Sequence, residues 1–200
     1  MLFFKNVEDN TILSDTAGLL PAHISTQEQL NEWEALNILN ASKKHFAAKV
    51  KLIVSADWFK QVHRDMFCET WKWAGKFRKK DLNIGVSWYS ISEQVKLLVD
   101  DIKYWQTGKG KFSIFQQSVR IHHRLVKIHP FVNGNGRHAR LTADIFLYHH
   151  DEKLPDWPDK KLIDNSNVRK NYITALKAAD NGDYSLLEKF IKGLVSNVTT

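Results

Sequence analysis

His129-Pro-Phe-Val-Asn-Gly-Asn-Gly-Arg137-His-Ala-Arg140 decides how the rest of this 200-residue chain is read. Helical patterns flank it. Before it, Phe115, Val119, His122 and Val126 recur at helical spacing, and that helix must stop ahead of Pro130. After it, a helix is expected from about Gly136 to His150. The stretch is therefore a loop that runs into a helix N-terminus. Gly134 and Gly136 permit backbone geometries barred to residues with a Cβ, and close approach of a ligand. Successive N–H groups at Gly134, Asn135 and Gly136 suit an anion-binding nest. That nest opens onto the helix's unsatisfied N–H groups and the positive end of its dipole, which favour phosphate. Arg137 and Arg140 are three apart and share one side of the helix. Each offers a planar fork of donors for phosphate oxygens. His129, at the edge of this cradle, titrates near neutral pH and is the candidate general base. A plain glycine cap would need none of these polar residues.

Working outward, Ser25-Thr-Gln-Glu28 fits a capping box, followed by the apolar positions Leu30, Trp33, Leu36 and Ala41. Ser55 is placed to cap a second helix with the stripe Trp58, Phe59, Val62 and Met66, and Gly75 ends that stretch. From Phe77 the period changes. Leu82, Ile84 and Val86 alternate with polar neighbours, Gly85 sits at a turn position, and Trp88-Tyr89 begins a returning strand, so 77–91 reads as a short β-hairpin. Ser90-Ile-Ser-Glu93 is a further capping box, with Val95, Leu98, Val99, Ile102 and Trp105 behind it, and Gly108 and Gly110 make a turn. After a loop with Pro155 and Pro158, one helix carries Val168, Tyr172, Ala175 and Ala179 and ends near Gly182. A last helix carries Leu187, Phe190, Ile191 and Leu194. The expected fold is a compact all-α domain over 25–200 bearing one hairpin, preceded by an arm over 1–24.

Composition agrees with this and excludes much else. Apolar residues make up 43% of the chain, so a sizeable core can be buried. Nine glycines and four prolines fall well below the ~12% of average usage, which disfavours a many-stranded sandwich or barrel. A net charge of +7 suits phosphate-bearing ligands, nucleic acid or an acidic partner. The single cysteine, Cys68, excludes an intramolecular disulfide framework and a multi-cysteine zinc site, and is expected as a small core residue. The start, Met1-Leu-Phe-Phe-Lys5, lacks the apolar core of a signal peptide, and no stretch approaches the ~18 apolar residues of a membrane helix. A soluble, cytoplasmic protein without membrane contact is expected.

The stretch 129–140 resembles the signature of the Fic (filamentation induced by cAMP) family, His-Pro-Phe-x-[Asp/Glu/Asn]-Gly-Asn-Gly-Arg-x-x-Arg, and matches every fixed position of it. The resemblance covers roughly 55–195. The region from Leu20-Pro-Ala-His-Ile-Ser-Thr26 to Leu30-Asn-Glu-Trp-Glu-Ala-Leu-Asn-Ile38 looks like the small bacterial subgroup called mobile mystery protein B. The resemblance implies an all-α core and transfer of AMP from ATP to a Tyr, Ser or Thr hydroxyl of a target protein. It implies that His129 is the base, that Phe131 buries its ring and anchors the loop, and that Gly134, Asn135 and Gly136 hold the α- and β-phosphates. Asn135 would face developing charge at the α-phosphate, Arg137 the β-phosphate side and Arg140 the γ-phosphate. The hairpin 77–91 lies where the family has its target-docking flap. The best-studied AMP-transferring members carry an acidic residue at the position of Asn133, where it helps hold Mg²⁺. A neutral amide oxygen is a weaker magnesium ligand than a carboxylate, so the ion would be held through ATP and water with Asn133 assisting.

Many family members restrain themselves through a helix with the pattern Ser/Thr-x-x-x-Glu-Gly/Asn, whose glutamate pairs with the motif's second arginine. This chain lacks that pattern. In the possible regulatory helix 26–46, Glu34 either faces the core, with Arg140 as its candidate partner, or is solvated on an outer face. If Glu34 does not restrain the site, restraint is left to a separate antitoxin-like partner or to none. Alternative readings are a related enzyme that uses another phosphate-containing donor or removes AMP, and a catalytically silent nucleotide- or nucleic-acid-binding module. A nucleic-acid binder should show a basic helix or a known motif, and none stands out. Trp71-Lys-Trp73 with Arg78-Lys-Lys80 reads as aromatic core plus solvated lysines rather than a stacking platform. His122, His123 and His129 lack acidic or cysteine partners at useful spacing, so they read as structural rather than metal-binding.

Overall fold

Helix α1 (Gln27–Phe46) starts where Thr26 accepts a hydrogen bond from the Gln29 N–H. The Gln29 side chain closes the box by accepting from the N–H groups of Thr26 and Ser25. The box is thus one residue later than the Ser25–Glu28 expectation, because glutamine serves as well as glutamate at its far end. Ser55 caps α2 (Ala56–Phe67) as expected. Ser113 and Gln116 make a second box ahead of α4 (Ile114–Ile128). Ser90 caps nothing with its side chain, because a 3₁₀ turn, Trp88–Ser90, runs straight into α3 (Ile91–Tyr104). Then come α5 (Asn135–Tyr148), the short α6 (Asp159–Ile163), α7 (Asn167–Asp180) and α8 (Ser185–Lys192). Gly182, at φ 89°, lies just past α7 as expected.

The computed structural model describes residues 18–47, 51–163 and 166–195. Most of the expected arm lies outside the described residues. Its end is held by a single antiparallel bridge between Leu19 and Trp71.

The expected hairpin is not formed. Residues 77–87 hold no strand, because their main chain bonds to the loop after α4 instead of to itself. Arg78 N–H donates to the Pro130 carbonyl at 2.9 Å, and Val86 N–H to that of Ile128 at 3.3 Å.

Three apolar clusters hold the helices, and α5 enters two of them. Ala139 and Phe146 pack with Phe59 of α2, Val95 and Leu98 of α3 and Leu125 of α4. Leu141 and Ile145 pack with Leu30 and Ala41 of α1, Met66 and Phe67 of α2, and Trp71. The third cluster joins Val119 of α4 to Tyr172 and Leu176 of α7 and Leu187 of α8. Trp71 is fully buried and stacks on Trp73 at 4.9 Å, so that aromatic run is core, as read. Cys68 is not core: it follows the last residue of α2 and is exposed. Among the described residues, no helix is long and apolar enough to cross a membrane.

Candidate functional site

The site begins where α4 ends. His129 is the helix's C-cap and adopts the left-handed conformation, φ 53°, ψ 58°, with its N–H donating to Leu125. Pro130 forbids continuation, and the left-handed step turns the chain. The imidazole is 5% exposed. Its Nδ1 lies 3.3 Å from the Val126 carbonyl, which assigns the proton to Nδ1 and the basic lone pair to Nε2. Burial above all, with Arg78 nearby, pulls its pKa down to about 4. The expected near-neutral titration is thereby corrected: the ring is neutral at pH 7 and ready to accept a proton.

The loop from 130 to 134 is built around buried rings. Phe131 is fully buried and stacks on His63 of α2, centroids 3.7 Å apart. It anchors the loop, with no surface left for a ligand. Asn135 turns inward as well. Its Oδ1 accepts from the Phe131 N–H at 2.8 Å and its Nδ2 donates to the Phe131 carbonyl at 2.9 Å. The Asn135 side chain is therefore a clasp on the loop, and only its main-chain N–H faces the helix end.

Gly134 sits at φ 76° as the N-cap of α5. A Cβ there would lie 2.5 Å from the Phe67 ring, so glycine is required. Its N–H donates to Asn133 Oδ1 at 2.5 Å, which takes it out of the expected nest. No side chain caps α5, so the amides of Asn135, Gly136 and Arg137 are left as its open first turn. Gly136 has ordinary helical geometry, and a Cβ there would meet nothing nearer than Arg140 Nη1 at 3.7 Å. Its missing side chain keeps the helix end uncovered.

The two arginines bracket that end and each has an acidic partner. Arg137 Nη1 is 2.6 Å from Oε2 of Glu34, whose other oxygen accepts from Trp71 Nε1 at 2.6 Å. Glu34 is thus buried and faces the core, as one of the two readings held, but its partner is Arg137 and not Arg140. Arg140 Nη2 instead bonds Asp159 of α6 at 2.8 Å, with its guanidinium 5.8 Å from the Trp157 ring. The α6 turn was missed in the sequence because five residues just after Pro158 are too few to show a helical period.

Both oxygens of Asn133 are already engaged. Its side-chain oxygen holds Gly134, and its main-chain oxygen lies 3.0 Å from His63 Nε2. Among the described residues, no cluster of three or more His, Cys, Asp or Glu side chains suits a metal ion.

Sequence reasoning also missed two supports of the loop. His63 is fully buried and takes the Gly75 N–H on Nδ1 at 3.0 Å, so its Nε2 carries the proton toward Asn133. Burial, reinforced by His138, holds its pKa far below the ordinary value, keeping it neutral. Arg78 is 4% exposed and donates from Nε to the His129 carbonyl at 2.8 Å. Both signals were single polar residues on otherwise apolar or basic stretches. His122 and His123 bond Tyr172 and Tyr184 and are structural, as read.

Residues 53–147 match the Fic/DOC family. Protein adenylyltransferase Fic of Drosophila mojavensis is 24% identical over 192 residues, covering 92% of this chain and 37% of that protein. The Aedes aegypti protein of the same name is 25% identical over 194 residues, with 92% and 37% covered. The chain thus spans little more than a third of the curated relatives it matches. Among solved structures, Fic-1 (residues 134–508) of C. elegans superposes with a TM-score of 0.68 at 22% identity, covering 90% of this chain and 52% of that one. An N-terminal Fic domain of a putative cell filamentation protein from Bartonella quintana, with bound ADP, gives 0.66 at 15% identity, covering 92% and 93%. These likenesses establish the all-α fold.

Proposed function

We propose, from the match of residues 53–147 to the Fic/DOC family, that this protein transfers AMP from ATP to a hydroxyl side chain of a target protein. The observation that carries the reading is the uncapped N-terminus of α5, bracketed by two arginines and preceded by a buried, neutral histidine. The names of the curated relatives and the ADP bound to the Bartonella quintana domain support it.

The chemistry follows from the groups present. The target's hydroxyl oxygen attacks the α-phosphorus. The new O–P bond forms as the bond from the α-phosphorus to the bridging oxygen breaks, and pyrophosphate leaves. His129 accepts the hydroxyl proton on Nε2, with Nδ1 held by Val126. The amides of Asn135, Gly136 and Arg137 hold phosphate oxygens at the positive end of α5. Arg137 takes the β-phosphate side and Arg140 the γ-phosphate, each after releasing its carboxylate partner. Most of the rate enhancement comes from positioning and charge stabilisation. Magnesium, where it accompanies ATP, neutralises phosphate charge, and the 129–140 loop adds no carboxylate to it. The target docks along 77–91.

The test is incubation of the purified chain and of its His129→Ala variant with α-labelled ATP and a bacterial lysate. We expect label on protein with the wild type and at least a 100-fold loss in the variant, with ATP affinity within twofold. Equal labelling by both would overturn the role of His129. No labelling of any protein by the wild type would overturn AMP transfer itself.

A further inference from the structure

Arg78 is buried at the root of the segment that lies across the site, and its guanidinium has one carboxylate at the edge of ion-pair distance. That residue, Asp81, is exposed and lies 3.6 Å away. The fork donates instead to three main-chain carbonyls: Nε to His129 at 2.8 Å, Nη1 to Lys80 at 2.8 Å, and Nη2 to Val86. One of these carbonyls belongs to the candidate base, and the other two belong to the segment 79–87. The main chain adds two parallel ties, Arg78 N–H to Pro130 and Val86 N–H to Ile128. Between them Gly85, at φ 99°, passes so close that a Cβ would lie 2.5 Å from His129 Cβ and 3.0 Å from Arg78 Nη2. The segment therefore crosses directly over the base, and the Arg78 fork fixes the crossing point.

Burying a guanidinium carries a desolvation penalty that good hydrogen bonds must offset. A merely structural brace at this position has no need of a fixed positive charge. A planar fork does something an apolar residue cannot, which is to hold three carbonyls from two segments in one geometry.

We propose that Arg78 is a positioning residue for AMP transfer, tying the target-docking segment 79–87 to the main chain of His129 so that a docked hydroxyl meets the base in one register. This inference rests on the AMP-transfer reading above. Arg78 touches neither nucleotide nor target. It acts through His129 and through the segment. A register error of about 1 Å is enough to lose much of the advantage of a held reactant.

The test uses the full chain with Arg78→Lys and Arg78→Gln. Lysine keeps the charge but cannot span three carbonyls, and glutamine keeps one donor without the charge. With a target identified by wild-type labelling, we expect kcat to fall tenfold or more in both variants while the KM for ATP stays within twofold. Amide hydrogen exchange of 79–87 should speed up in both, while that of 138–147 in α5 stays as in the wild type. Wild-type kcat in Arg78→Lys, or unchanged exchange over 79–87, overturns the tie. A fall in kcat accompanied by a matching loss of ATP affinity and faster exchange in α5 also overturns it, because Arg78 is then only a brace of the fold. Absence of any protein labelling by the wild type removes the reaction that Arg78 would serve, and the exchange measurement then still reports whether the tie exists.

Discussion

Glu34 Oε2 lies 2.6 Å from Arg137 Nη1, and Arg137 stands in the first turn of the helix whose open end is the candidate phosphate site. The carboxylate is buried and the arginine about a quarter exposed, so an incoming phosphate competes for a guanidinium that is already occupied. Glu34→Gln keeps an acceptor for Trp71 and removes the charge. We expect ATP and ADP each to bind several-fold more tightly and auto-modification to rise. Calorimetry with both nucleotides checks this. Unchanged affinity and labelling would leave restraint to a separate antitoxin-like partner or to none.

Asp159 makes the corresponding contact to Arg140, from an exposed position on α6. Arg140 is the residue assigned to the γ-phosphate, which ADP lacks. Asp159→Asn should therefore tighten ATP binding several-fold and leave ADP where it was. A parallel change in both nucleotides would show that Arg140 does not read the γ-phosphate.

The depressed pKa of His129 fixes the expected pH profile. The base must be neutral to take a proton, and it is neutral above about pH 4. The rate of transfer should be flat from about pH 5 to pH 8 and fall tenfold per unit below about pH 4. An acid limb near pH 6.5, the ordinary imidazole value, would mean that the ring is solvated in the working complex.

Asn135→Ala should destabilise the fold as well as the site. It strips partners from the buried N–H and C=O of Phe131. Each orphaned group costs about 1–3 kcal/mol, so a loss of about 2–6 kcal/mol is expected in urea denaturation. A change below about 0.5 kcal/mol would show that the clasp is dispensable.

The buried histidines make the fold acid-labile. Burial lowers His122 to about 3 and His138 to about 4. Their folded pKa values lie below the unfolded value of about 6.5, so their contribution is complete above that pH and is lost as the pH falls toward 3 to 4. Each should lower stability by about 1.4 kcal/mol per pH unit across that window. Equal denaturation midpoints at pH 7 and pH 4.5 would contradict this.

The helices and the loop at 129–140 were legible because each rests on local signals: caps, apolar periodicity, Pro130 and the glycines. Ser55 and Gly182 show this directly. The hairpin was misread because alternation over 82–86 reports a segment with two faces, and it does not report which partner takes the main-chain bonds. Here Ile128 and Pro130 take them. The pairing of Glu34 was half legible. Its inward face follows from helical phase, but the choice between Arg137 and Arg140 depends on how α1 crosses α5. Arg78 and His63 were missed because their partners are main-chain groups, and the ones that tie them to the 129–140 loop lie 51 and 70 residues away, which leaves no trace in side-chain spacing.

Helix α5 carries the open amides of its first turn at one end and apolar residues of two core clusters along its length. Its site therefore has no low-energy route to local opening. Freeing the first turn of α5 by fraying would require unseating Ala139 and Leu141, and with them the packing of α1, α2, α3 and α4. This end of α5 should accordingly belong to the slowest-exchanging cooperative unit of the described residues. The two carboxylates that occupy its arginines differ in this respect: Glu34 belongs to α1, which packs in the same core as α5, whereas Asp159 is exposed on the short α6, so the stopper on Arg140 is the one that can swing away while the scaffold stays fixed.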